Sequence, residues 1–238
     1  MWQKGCEQML YSVGAILLKT PAAGNQPMRW NTIGTSFMIK GKPDLFFITN
    51  THVICNKDGK DYNEKDLALV IFLPGPRAAI CGIKIEFVEK GLDIAVLSSS
   101  KEGEDAKPVL FAKPSVLGMG SSVASIGFPI PPAPKTIDSK RGSLTVVKRL
   151  STGFISSIDF RPNLGPAVAD LGHYEINMLA YPGLSGAPVF DINGLVIGLN
   201  RGGLKYYGNF AAYACAVRSA EIIACLKEHN IEVELGSA

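Results

Sequence analysis

A serine in a glycine-bracketed turn, three histidines and a few well-placed carboxylates are the residues of this chain that could do chemistry. Ser185 lies in Tyr181-Pro182-Gly183-Leu184-Ser185-Gly186-Ala187-Pro188. A serine on such a loop can act as a nucleophile, because glycines beside it let backbone N–H groups approach an incoming carbonyl closely. The same letters also describe an ordinary turn serine. A nucleophilic serine needs a base and a group that orients the base.

The search for the base is short, since the chain has only His52, His173 and His229. His52 follows the apolar Leu45-Phe46-Phe47-Ile48-Thr49 and precedes Val53-Ile54, where a strand ends and the chain turns. His173 falls in a loop and His229 at an exposed helix end, and both read as surface or satisfied histidines. For the orienting acid, Asp93 opens the apolar Ile94-Ala95-Val96-Leu97. A carboxylate at the mouth of a buried strand is costly unless something pairs with it, and a histidine N–H is a natural partner. Asp191 is a rival, but its place before Asn193-Gly194 reads as turn chemistry. The resulting order is His52, Asp93, Ser185. A Ser-Asp-His order built from Ser185, Asp191 and His229 would need a helix after the serine, and strand-like sequence follows instead.

These residues sit on a chain built of short strands. Tyr11–Leu18, Gly34–Lys40, Leu45–Thr49, Leu67–Leu73, Ala79–Val88 and Asp93–Leu97 read as strands in the first half. Ser121–Gly127, Thr152–Phe160, Tyr174–Ala180, Leu195–Leu199 and Asn209–Val217 do so in the second, with a possible short one at Leu144–Val147. Short strands with turns between them predict an all-β barrel or sandwich. The charged segment Ser98–Pro108 is the expected linker, dividing the chain into residues 1–103 and 104–238. One helix is expected, from an N-cap at Ser219 through the stripe Ile222, Ile223, Cys225 and Leu226.

Composition narrows the function classes. Lys and Arg number 24 against 21 Asp and Glu, and charged residues make up 19%. That balance argues against a nucleic-acid or membrane-surface protein, and no apolar run is long enough to cross a membrane. Met9–Leu18 followed by Pro21-Ala22-Ala23 has the outline of a short secretion signal. Flanking Glu7 and Lys19, and Ser12 and Gly14 within it, favour a first strand. The five cysteines are odd in number and show no metal-ligand spacing, so free thiols in a reducing, cytoplasmic compartment are expected, with the periplasm or an organelle lumen as the alternative, and Cys81 and Cys215 are expected to be buried and inert. No metal or organic cofactor is expected.

Three segments in order resemble the trypsin-like serine peptidases, most of all the HtrA/Deg branch. They are Phe47-Ile48-Thr49-Asn50-Thr51-His52-Val53-Ile54, then Asp93-Ile94-Ala95-Val96-Leu97, then Pro182–Pro188 with the following Asn193–Asn200. The resemblance extends over about residues 9 to 230. It implies two six-stranded Greek-key β-barrels with a C-terminal α-helix, and a polypeptide substrate. It also implies roles. Ser185 attacks the carbonyl, His52 moves the proton and Asp93 holds the imidazole. The N–H groups of Gly183 and Ser185 form an oxyanion hole. Leu179 lies near the base of the substrate pocket, and Asn200, Gly202 and Gly203 form its wall. No acidic residue occupies those places, so a small or medium apolar side chain is expected before the scissile bond. The departures are Leu184, where trypsin has aspartate and the HtrA branch asparagine, and Ala187 in place of a glycine. Leu184 has no carboxylate to receive a new N-terminal amine, so activation by propeptide cleavage is not expected. The sequence holds no PDZ domain, and further domains or a regulatory partner are left open, as is the oligomeric state. A latent or catalytically weak peptide-binding module of the same fold is the alternative, and an esterase a third reading. The basic loop Pro129–Arg149 is either a solvated surface loop or a substrate gate.

Overall fold

The structure is a computed structural model. It describes residues 2–20, 29–41, 44–56, 58–75, 77–99, 107–113, 117–130, 146–160, 172–204 and 213–236. The first half supplies β1 (Val13–Thr20), β2 (Arg29–Lys40), β3 (Leu45–Thr49), β4 (Leu67–Leu73), β5 (Arg77–Glu89) and β6 (Ile94–Ser99). The second supplies β7 (Ser122–Gly127), β8 (Arg149–Phe160), β9 (His173–Asn177), β10 (Pro188–Phe190), β11 (Val196–Leu204) and β12 (Tyr213–Arg218). Each set closes into an antiparallel barrel, in the order β1-β2-β3-β6-β5-β4 and β7-β8-β9-β12-β11-β10. The second barrel repeats the topology of the first, although the sequence shows no repeat. This is the expected pair of barrels.

Alternation along the strands explains how two barrels share one core. In β5, Cys81 and Ile83 are buried while Ile80, Gly82 and Lys84 are exposed, the period of a strand with one wet face. β2 has no wet face over its middle. It sends Met38 into the first barrel with Ile16, Phe47, Leu69 and Leu97. Phe37 and Ile39 point the other way, into a cluster with Phe111, Phe128, Phe190 and Val196. That cluster lies between the barrels, and Val123, Ile155, Ile176, Val189 and Ile197 fill the second barrel. The catalytic candidates come from the rims of this seam.

The C-terminal helix, α3 (Ser219–Glu228), buries Ile222, Cys225 and Leu226 as expected. Its N-cap position is Arg218 rather than Ser219, with no side-chain cap. Arg218 instead reaches forward, donating from Nη2 to Glu221 Oε1 at 2.7 Å. An unexpected helix, α1 (Gln3–Met9), precedes β1. It docks on the second barrel: Trp2 meets the Phe190 ring edge-on, and a Cβ on Gly5 would lie 3.1 Å from the Gly194 N. All five cysteines are free, and Cys81 and Cys215 are buried. Most of the Pro129–Arg149 loop, the short strand expected at Leu144–Val147, the linker and the start of the strand expected from Asn209 lie largely outside the described residues.

Candidate active site

His52 sits on α2 (Thr51–Ile54), a single helical turn that follows β3. Val53 and Ile54 are buried in the first barrel, which anchors the turn and leaves the His52 side chain 47% exposed. Asp93 stands just before β6 with φ +57°, a left-handed conformation rare for a residue other than glycine. Several bonds hold it there. Its carbonyl accepts from the Asn50 side chain at 3.0 Å and the Thr51 N–H at 3.3 Å. The Thr51 hydroxyl donates to the Ile94 carbonyl at 2.9 Å.

The Asp93 carboxylate then faces His52. Oδ2 lies 2.8 Å from His52 Nδ1, and Oδ1 accepts the His52 backbone N–H at 3.0 Å. The residue is 4% exposed. Burial pushes its pKa up. The hydrogen bonds and charge of His52 and the charge of Arg201 outweigh that effect, so the carboxyl stays below its ordinary range.

Arg201, which falls inside the stretch expected to wall the pocket, has a contact that the sequence reading missed. It lies on β11, and its Nε donates to Asp93 Oδ2 at 2.8 Å, to the same oxygen that meets the imidazole. Its side chain is 14% exposed.

The serine turn is held across the seam. The Thr35 hydroxyl on β2 donates to the Gly183 carbonyl at 2.7 Å and accepts from the Phe128 N–H at 3.0 Å. The Thr35 N–H donates to the Ser185 carbonyl at 2.9 Å. Gly186 passes so close to β2 that a Cβ would lie 2.0 Å from the Thr35 carbonyl oxygen, and its φ is +84°. Leu184 is fully buried, and Ala187 is too. A Cβ on Gly127 would lie 2.9 Å from Leu184 and 3.2 Å from the Ala187 methyl, so the bare Gly127 backbone makes room for both departures.

Ser185 Oγ donates to the Arg201 carbonyl at 3.2 Å and makes no hydrogen bond to His52. Arg201 therefore links both ends: its side chain to Asp93 and, through Asp93, to His52, and its carbonyl to Ser185. The N–H groups of Gly183 and Ser185 have no partner among the described residues, while the intervening Leu184 N–H turns back to the Tyr181 carbonyl at 3.1 Å. Two unspent donors beside the serine can receive a carbonyl oxygen.

The expected pocket residues divide. Gly202 is beside the serine, since a Cβ there would stand 3.9 Å from Ser185 Oγ. Gly203 follows it on β11. Asn200 is fully buried, and its side-chain oxygen accepts the Gly202 N–H at 3.0 Å, so it braces from behind the glycine that stands beside the serine. Leu179 lies past the end of β9 and is 55% exposed.

The rejected candidates are placed elsewhere. His173 is no loop residue; it opens β9 and is buried. His229 ends α3 and stacks on Phe87 with ring centroids 3.6 Å apart. Asp191 Oδ1 accepts the N–H groups of Asn193 and Leu195, each at 2.9 Å, which is the turn chemistry expected of it.

Comparison with known proteins agrees with this architecture. No curated protein matches the chain by sequence search. Among solved structures, a variant of the HtrA-type protease AlgW with a tripeptide superposes with TM-score 0.68 at 16% identity, over 97% of this chain and 64% of that one. AlgW with a decapeptide gives 0.67 at 17% identity, over 97% and 68%. The chain thus spans 64% of the length of the first of these proteins, and at such identities the likeness speaks for the fold. The family model for the trypsin-like peptidase domain matches residues 34–199, a span that holds His52, Asp93, Ser185 and most of both barrels, and the chain belongs to that family.

Proposed function

We propose that the protein is a serine-type endopeptidase that cleaves polypeptides through His52, Asp93 and Ser185. The observation that carries the reading is the buried Asp93 carboxylate gripping both the ring and the backbone of His52. Held in this way, the imidazole keeps its proton on Nδ1 and turns Nε2 outward as a base. Ser185 Oγ attacks the scissile carbonyl as His52 takes its proton. The developing oxyanion is received by the N–H groups of Gly183 and Ser185, and such a donor is typically worth about 3 kcal/mol. His52 returns the proton to the leaving amine, and water then releases the acyl group by the reverse path.

A small or medium apolar residue before the scissile bond is part of the proposal. Gly202 leaves room beside the serine, where an added Cβ would meet only Ser185 Oγ within 4 Å among the described residues, and the exposed Leu179 is apolar. A peptide library showing preference for arginine at that position would overturn it.

The second reading is a latent or weak peptide-binding module. It is favoured by the Ser185 hydroxyl, which is engaged by the Arg201 carbonyl rather than by His52. A fluorophosphonate probe separates the two, with Ser185→Ala and His52→Ala alongside and the adduct located by mass spectrometry. Labelling at Ser185 that is lost in both variants supports the peptidase. A folded protein that resists the probe supports the latent module.

A further inference from the structure

A charged side chain taken out of water needs a partner, and Arg201 and Asp93 are such a pair from opposite barrels. The Asp93 oxygen that meets Arg201 Nε at 2.8 Å is the one that meets His52 Nδ1 at 2.8 Å. Among the described residues, Arg201 Nη1 is buried without a partner, and Asp93 is the one carboxylate the guanidinium meets. We propose that Arg201 is a positioning residue that fixes the Asp93 carboxylate and divides its charge between guanidinium and imidazole, keeping the site working in more acidic solution than an unshared carboxylate would allow. The inference rests on the triad reading above.

The chemistry runs through His52. An orienting carboxylate does two things for a catalytic imidazole: it selects the tautomer and stabilises the imidazolium. A fixed cation on the same oxygen leaves the first intact and opposes the second, because a nearby like charge disfavours the charged form. A charge within about 4–6 Å moves a titration by about 1–3 pH units, and one relayed through a shared carboxylate belongs at the low end of that range.

Other titratable groups near the pair do not supply this effect. Cys55 follows α2, and Lys90 lies in the turn before Asp93. Cys215 on β12 pairs in register with Glu175 on β9. Burial pushes the Cys55 and Cys215 thiols up to about 12, so both stay neutral at working pH. Lys90 uses its carbonyl here, accepting the Asp93 N–H at 3.2 Å, and its ammonium reaches the Gly59 carbonyl. Arg201 and His52 are the two basic side chains bonded to the carboxylate among the described residues.

The test uses Arg201→Met, which removes the charge, and Arg201→Lys, which keeps it. Two quantities are followed against pH: the rate of fluorophosphonate labelling at Ser185, and the NMR titration of the His52 ring in the unlabelled protein. In Arg201→Met, the acidic limb of labelling and the imidazole midpoint should both move up by about one pH unit, and labelling on the acidic limb should slow about tenfold. Arg201→Lys should keep both close to wild type. A purely structural role would lower the whole labelling profile and move neither midpoint, which overturns the proposal. If the wild type is not labelled, the triad reading fails, and the NMR titration still decides whether Arg201 shares the carboxylate. Should Arg201→Met not fold, Arg201→Gln, which retains a donor, takes its place with the same expected shift.

Discussion

Replacing Thr35 by valine removes one oxygen atom and nearly no volume, yet that oxygen holds the two barrels together at the serine turn. The hydroxyl donates to the Gly183 carbonyl and accepts from the Phe128 N–H, and Thr35 is fully buried. Valine fills the same space and bonds neither group, so one carbonyl and one amide are left buried and unpaired. Each such group costs about 1–3 kcal/mol, which makes about 2–6 kcal/mol for the pair. Against a total stability of about 5–15 kcal/mol, that is a large share. In urea, with a slope near 3 kcal/mol per molar, the midpoint should fall by about 1–2 M at unchanged slope. The comparison is Thr35→Ser, which keeps the oxygen and loses only a methyl group, and should retain most of the stability. Fluorophosphonate labelling of folded Thr35→Val at low urea should also slow, since the Gly183 peptide is no longer tethered. A loss below about 1 kcal/mol, or an equal loss in Thr35→Ser, would show that the hydroxyl is not what joins the barrels.

Other expectations follow from single contacts. Gly186→Ala puts a methyl 2.0 Å from the Thr35 carbonyl oxygen at φ +84°. Overpacking plus a left-handed alanine should cost about 3 kcal/mol or more, read as a drop in melting temperature or loss of soluble protein. Burial lowers the Lys148 pKa to about 8 from its ordinary 10.5. The unfolded chain therefore binds more protons between those values, and stability should rise with pH across that window. Lys148→Met should remove that rise, and urea midpoints at pH 7.5 and 10 that shift equally in both proteins would contradict it. Asp191→Ala strips two backbone N–H groups of a charged acceptor and should lower stability by about 2 kcal/mol by urea titration, with labelling at Ser185 unchanged.

The strands were legible because each carries its own signal. Leu67–Leu73 is apolar throughout, and its ends are marked by polar or turn residues. The helix α1 was not legible, because nothing local makes it. It has no side-chain cap, no acid in its first turn and a glycine in its interior. A helix that short is held by docking rather than by propensity. Its partners are Phe190 and the turn around Gly194, far along the chain. His173 failed for a related reason: a histidine after a glycine reads as loop until β8 and β12 pair on either side of it.

The site divides along the same line, and Arg201 shows that the division is not absolute. His52, Asp93 and Ser185 each sit in a recognisable segment, whereas Thr35 is one threonine among several in a strand. Its contacts exist only once the barrels meet. Arg201 is different. Asp93 was singled out because a charge beside a buried strand needs a partner. The same argument applies to an arginine that directly follows Val196-Ile197-Gly198-Leu199-Asn200 on β11. Two opposite charges, each stranded in apolar sequence, one in each half of the chain, are a prediction of contact between the halves. The structure brings them to 2.8 Å. What the sequence withheld was the third member of the arrangement: that the oxygen taken by Arg201 is the one His52 uses, so that the ion pair joining the barrels also bears on the charge available to the imidazole.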